Sequence, residues 1–233
     1  MTATSERQPA AYPLRMDADP PVDVSRGLWL VKWILVVPHV VVLIGLWIAF
    51  GVLTVVAFFA ILFTERYPRA IFTFNVGVLR WSWRVAYYSY GALGTDRYPP
   101  FTLADVPDYP TRLDVEPPQR LSRGLVLVKW WLLAIPHYVV VAFFLGGTST
   151  TEYTTDEGVV VTVQGWPPAV GLVGVLVLFA AVVLLFRGAY PRSLYDLVLG
   201  LQRWALRVSA YAALMTDEYP PFRLDTGGRP ARP

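Results

Sequence analysis

The sequence predicts an all-α polytopic membrane protein of two tandem repeats. Each repeat is a transmembrane helical hairpin plus an in-plane amphipathic Arg/Trp helix and short extended segments. Three observations predict this. Leu28–Phe63 is an apolar run whose one charge is Lys32, longer than a soluble domain has use for. YPLRMDADPPVDVSRGLWLVKW, from Tyr12, returns as YPTRLDVEPPQRLSRGLVLVKW, from Tyr109, at an offset of 97, the mark of an internal repeat. Of 20 Lys and Arg, none lies in residues 33–65 or 130–186, so basic residues flank two membrane segments.

Composition agrees. With 55% hydrophobic and 16% charged residues, the chain has a membrane composition, and 9 Trp and 13 Tyr suit two interfaces to anchor. The absence of cysteine excludes disulfides, thiolate-held zinc, iron–sulfur clusters and thiol catalysis. Met1–Arg26 is polar and Pro-rich, without a secretory-signal pattern.

Residues 1–11 are expected to be a disordered N-terminus. Repeat 1 covers residues 12–105. Tyr12–Asp17 alternates as a strand does. As one helix, Leu28–Phe63 would span about 54 Å against roughly 30 Å of hydrocarbon, so a tight hairpin (about 28–63) turning near Gly45 or Gly51 is expected. Tyr67-Pro68 breaks the chain, an amphipathic helix runs about 70–93, and Tyr98-Pro99-Pro100-Phe101 cannot be helical.

Repeat 2 covers residues 109–225. Tyr109–Asp114 repeats the extended piece. Spanning helices are expected at about 125–145 and 166–186, around an outer loop at 146–165. In that loop TSTTEYTTDEGVVVTVQ reads as a small β-hairpin turning at Asp156-Glu157-Gly158. A second amphipathic helix runs about 193–215, and 226–233 is a tail. Pro38-His39 and Pro136-His137 stand at an offset of 98, so one residue is inserted before them. By Tyr67/Tyr190 the offset is 123, and the extra residues sit mainly in the outer loop. The two extended pieces of each unit are candidates to pair.

The third helix of each unit carries a polar stripe. Thr73, Gly77, Arg80, Arg84, Tyr87, Tyr88 and Gly91 share one face, as do Asp196, Gly200, Arg203, Arg207 and Tyr211. In a spanning helix each arginine would cost at least roughly 2.5 kcal/mol. An in-plane helix whose arginines meet phosphates is preferred; a stripe turned toward the hairpins is the alternative. The outer loop is acidic (Glu152, Asp156, Glu157), which implies an even number of crossings per unit and cytoplasmic termini. The expected location is the bacterial cytoplasmic (inner) membrane, multi-pass.

YPxRxD, SRGL, Pro-His, (R)YPR, RWxxRV and TDxYPPF, in that order, resemble a family of bacterial membrane proteins common in actinobacteria, catalogued as domain of unknown function 4389. The resemblance covers nearly all of 12–225 as two copies. Two departures are Gly188-Ala189, where copy one has Glu65-Arg66, and Asp196, where copy one has Thr73. The resemblance implies a membrane protein and brings no chemistry.

Candidate sites are few. Arg80, Arg84, Arg203, Arg207, Arg69 and Arg192, with Lys32 and Lys129, could form an anionic-lipid headgroup site; ordinary positive-inside anchoring is the bland reading. His39 and His137, intramembrane like Lys32 and Lys129, could ligate haem or relay protons. Bonds to main chain freed by Pro38 and Pro136, or to a neighbouring Tyr, are the preferred reading, and no cofactor or metal is expected. Tyr-Pro-Pro-Phe could dock a partner, but capping of the third helix accounts for it. Ser25 and Ser122 read as N-caps, and the aspartates near prolines as turn residues. No phosphate loop, HExxH or basic tract for nucleic acid is present. The expected function is therefore a non-enzymatic accessory or scaffold component of a cell-envelope or lipid system. Its partners would be anionic lipids and other membrane subunits. A small transporter or channel with a site between the repeats is the second reading, and a bis-His haem protein the third.

Overall fold

The computed structural model describes residues 12–21, 24–146, 150–154, 160–164 and 171–224. The N-terminus, the 156–158 turn and the tail at 226–233 lie outside them. In chain order the elements are β1 (Leu14–Ala18), α1 (Trp29–Thr64), α2 (Arg69–Tyr88), β2 (Thr111–Val115), α3 (Arg123–Val128), a π-helical turn (Lys129–Leu133), α4 (Ile135–Leu145), β3 (Thr150–Thr154), β4 (Val160–Gln164), α5 (Leu172–Arg187) and α6 (Arg192–Ala212).

The hairpin expected in 28–63 does not form. α1 is one helix of 36 residues, continuous through Gly45 and Gly51. The physical reason is local. A turn inside an apolar run would free main-chain groups with nothing polar nearby to satisfy them, whereas a helical glycine costs only about 1 kcal/mol. α1 buries one stripe, including Lys32, His39, Phe50, Ala57 and Ile61, and exposes apolar side chains over the rest. It is long and apolar enough to cross a membrane, and α3 with its π-turn and α4 form a second such unit, bent by 44°.

Nor is the second unit a hairpin. α5 begins where α4 ends: a Cβ on Gly171 would overlap Gly146 N and Leu145 C. Lys129 pairs with Asp217, past the C-terminal end of α6, whereas α5 ends just before α6 begins. The two ends of α3–α5 thus lie at opposite ends of α6, a helix about 30 Å long. α3–α4 and α5 together hold the place of α1, interrupted by the inserted segment. Within it β3 and β4 pair antiparallel, as the alternation implied.

The residue inserted before Pro136-His137 is absorbed by the π-turn, where Ala134 N donates to Lys129 O. A π-bulge is how a helix takes up one extra residue without losing register beyond it.

The extended pieces pair, but across the repeats rather than within them. β1 lies antiparallel to β2 with Met16 opposite Leu113. These two are equivalent at the 97 offset, so a pseudo-two-fold axis passes between them. Leu14, Met16, Ala18, Thr111, Leu113 and Val115 are buried on one face, while Arg15, Arg112 and Asp114 are exposed on the other. α2 packs against β2 and α1, and α6 against β1 and the α3–α5 helices. The amphipathic helices therefore form the middle of the molecule instead of lying in a lipid interface, because both of their faces find protein partners.

Each long helix ends in a left-handed residue, Glu65 (φ 60°) or Gly188 (φ 69°). Glycine accepts that conformation freely and glutamate does not. Glu65 is held there by Arg123, whose Nε lies 3.1 Å from its carboxylate. Leu93 (φ 52°) and Leu214 (φ 65°) make the matching turn after α2 and α6. Both side chains are buried in the core, which a glycine could not fill.

Candidate functional site

Each unit holds the same polar cluster at the start of its long helix. Lys32, fully buried, donates to Thr95 O (2.7 Å) and lies 2.9 Å from the Asp96 carboxylate, with the Tyr88 ring 4.7 Å away. Lys129 repeats this with Thr216 O (3.0 Å), Asp217 (2.7 Å) and the Tyr211 ring (5.7 Å). The other oxygen of each carboxylate accepts a main-chain N–H at 2.6 Å, from Ser25 or Ser122. Burial would raise the Asp96 carboxyl, but the Ser25 donors and the Lys32 ammonium outweigh it and hold it below the usual range. These aspartates are thus ion-pair partners as well as turn residues. Their signal in the sequence was the joint repetition of Lys and Thr-Asp. Ser122 caps α3 through its Oγ as expected, whereas α1 has no side-chain cap.

About two turns further on sits the histidine. His39 Nδ1 accepts from Trp81 Nε1 (3.1 Å), and its ring stacks on Phe101 at 4.0 Å with Tyr98 at 4.8 Å. His137 does the same with Trp204 (3.2 Å), Phe222 (4.3 Å) and Tyr219 (4.7 Å). Tyr-Pro-Pro-Phe therefore wraps the histidine of its own unit, a role that reasoning on the helix cap alone missed. Accepting at Nδ1 leaves the neutral ring's proton on Nε2, which has no hydrogen-bond partner in either copy. Each histidine is boxed by aromatic rings of its own repeat, and no ring contact or hydrogen bond joins the two among the described residues.

The arginine stripes turn inward. Arg80 Nε donates to Leu113 O (2.8 Å) and its Nη2 pairs with Asp114 (2.9 Å). Arg203 Nε donates to Met16 O (3.1 Å). Each unit's helix thus clamps the other unit's strand. Arg84 donates to Thr102 O, and Arg207 to Arg223 O at 3.2 Å. Arg84, Arg203 and Arg207 are buried, which places them out of reach of an outer phosphate; Arg69 and Arg192 are exposed at the helix starts. A polar stripe at helical spacing reads the same whether it meets lipid phosphate or backbone carbonyl, and here the acceptors are distant in sequence.

Fold and clusters together define a mostly helical, internally duplicated protein with one helix, and a second bent helix pair, long and apolar enough to cross a membrane. The model of one family, the domain of unknown function DUF4389, matches residues 26–102 and 169–223. Those segments make up more than half of the chain, which belongs to that family and carries it as two tandem copies. The second match resumes at 169, where the inserted segment ends. No curated protein and no solved structure matches the chain.

Proposed function

We propose that the protein is a non-catalytic component of the bacterial inner membrane that holds anionic lipid headgroups at the ends of its long helices. It would serve a cell-envelope or lipid system as an accessory or scaffold element, with both termini on the cytoplasmic side. The observation that carries this reading is the position of the exposed arginines. Arg66 and Arg69 follow α1, and Arg120 precedes and Arg123 begins α3, where Leu121 N donates to Glu65 O. Arg187 and Arg192 close the other junction, where the Arg26 guanidinium lies against Gly188. Guanidinium groups pair with phosphate oxygens through two parallel hydrogen bonds. A cluster beside an apolar helix meets phosphates at the depth where headgroups lie.

In this reading Arg69 and Arg192 remain headgroup contacts, and Arg84, Arg203 and Arg207 serve the fold. The test is the phosphatidylglycerol retained after purification in mild detergent, read by mass spectrometry. Arg66→Ala, Arg69→Ala, Arg187→Ala and Arg192→Ala combined should lose the selective retention of that lipid over phosphatidylethanolamine. Unchanged selectivity would overturn the reading.

A further inference from the structure

The long helices lie parallel to the plane of the β1–β2 sheet, and this follows from symmetry and two contacts. A two-fold axis leaves heights along itself unchanged, so a residue and its repeat mate are level. Leu121 N donates to Glu65 O at 2.9 Å, and Arg123 pairs with Glu65 at 3.1 Å. The C-terminal end of α1 is therefore level with the N-terminal end of α3. The mates of Leu121 and Arg123 are Val24 and Arg26, just before α1. Both ends of α1 thus stand at one height, and a helix about 54 Å long runs across the axis rather than along it. The mate contact agrees, since Arg26 lies against Gly188 at the end of α5. The dyad of an antiparallel strand pair stands perpendicular to the pair, so the axis is also the sheet normal.

This orientation decides how a bilayer can meet the molecule. If the long helices crossed it, the dyad would lie in the membrane plane. β1 and β2, which straddle the dyad, would then sit at mid-depth. The exposed Arg15, Arg112 and Asp114, the last two paired with Asp19 and Arg80, would face hydrocarbon, where a lone charge costs roughly 2.5 kcal/mol or more. If the dyad is the membrane normal, those charges face water instead. The uncovered surface of α1, with Ile34, Val41, Ile48 and Val55 between 52% and 65% exposed on one helical face, then enters a single leaflet along its whole length. The basic junctions lie at the helix ends, level with the headgroups.

We propose that the protein is monotopic: α1 and the α3–α5 helices lie in the plane of one leaflet, and neither spans the bilayer. This rests on the membrane reading above and sharpens it. Zero crossings also satisfies the even count that the distribution of Lys and Arg demands.

The test uses the full chain, which has no native cysteine. Ile34→Cys, Val41→Cys, Ile48→Cys and Val55→Cys are spin-labelled one at a time. Each is placed in vesicles of phosphatidylethanolamine and phosphatidylglycerol, and its depth is read from relaxation by oxygen against a water-soluble nickel chelate. The four sites cover about 31 Å of helix. An in-plane helix returns one depth at all four. Depths that vary by about 15 Å or more, half the hydrocarbon, overturn the monotopic reading and leave the membrane reading standing. Labels all equally open to the nickel chelate would remove both. A variant that misfolds is replaced by Val52→Cys or Phe59→Cys, which are 58% and 52% exposed.

Discussion

Met16 faces Leu113 across the β1–β2 ladder, and the two are the same position of the two repeats. The duplicated chain is thus an isologous dimer fused into one polypeptide. Each copy lends a strand to the other, and Arg80 and Arg203 bind the borrowed strand by its carbonyls. A Met16→Cys, Leu113→Cys pair in the full chain should form an intrachain disulfide on mild oxidation, read as a mobility shift reversed by reductant. A single repeat, residues 1–107, should assemble as a homodimer in detergent, because alone it lacks the strand that covers α2. A stable monomeric repeat, by light scattering, would contradict the exchange.

The Lys–Asp clusters should dominate the response to mutation. Asp96→Asn or Asp217→Asn leaves a fully buried ammonium without its counter-charge. A loss of about 3–5 kcal/mol is expected, read as a fall in melting temperature in detergent.

Acid should act through the same group. The folded-state pKa of Asp96 is depressed, so its contribution is complete above the unfolded value of about 3.9. It is lost as pH falls through the lower folded value. Stability followed from pH 6 down to pH 2 should drop on that limb, and the drop should be smaller in Asp96→Asn. Identical acid limbs would show that Asp96 does not couple to folding.

Glycine substitutions separate one long helix from a hairpin. A Cβ on Gly45 or Gly51 meets nothing within 4 Å. Alanine at either should stabilise the protein by roughly 0.5–1 kcal/mol through helix propensity. A tight turn at either position would make the same change destabilising. Gly171→Val is the opposing control, since its Cβ meets main chain at the end of α4 and should lower the melting temperature.

Arginines should sort by burial. Arg203→Met and Arg84→Met each strand main-chain carbonyls and should cost about 2–4 kcal/mol, with earlier proteolysis near β1 for Arg203→Met. Arg69→Ala and Arg192→Ala, exposed, should stay within about 0.5 kcal/mol of the parent.

Much was legible in the sequence because it was local. The repeat and its offsets located the extra residue before Pro136, which the π-turn absorbs, and the insertion between α4 and α5. The third helices start within one residue of their expected positions, 69 for 70 and 192 for 193, because Tyr-Pro marks each start. The strand alternation of Tyr12–Asp17 and Tyr109–Asp114 was equally plain, and the strands lie at Leu14–Ala18 and Thr111–Val115. The site was half visible: Lys32, Lys129, His39 and His137 stood out as polar groups in apolar runs. Their partners Asp96, Asp217, Phe101 and Phe222 did not, because turn chemistry alone accounts for residues of that kind near proline.

By itself the sequence determined the duplication, the two apolar stretches, the basic flanks and the Tyr-Pro breaks before α2 and α6. These depend on composition and on residues a few positions apart. Only the tertiary structure decided that strands cross between repeats and that the arginine stripes close on carbonyls. Each of those choices depends on a partner that lies far away in the chain. The distance from Arg203 to Met16 is 187 residues along the chain but one hydrogen bond in space, and no periodicity in α6 records which acceptor its arginines will find.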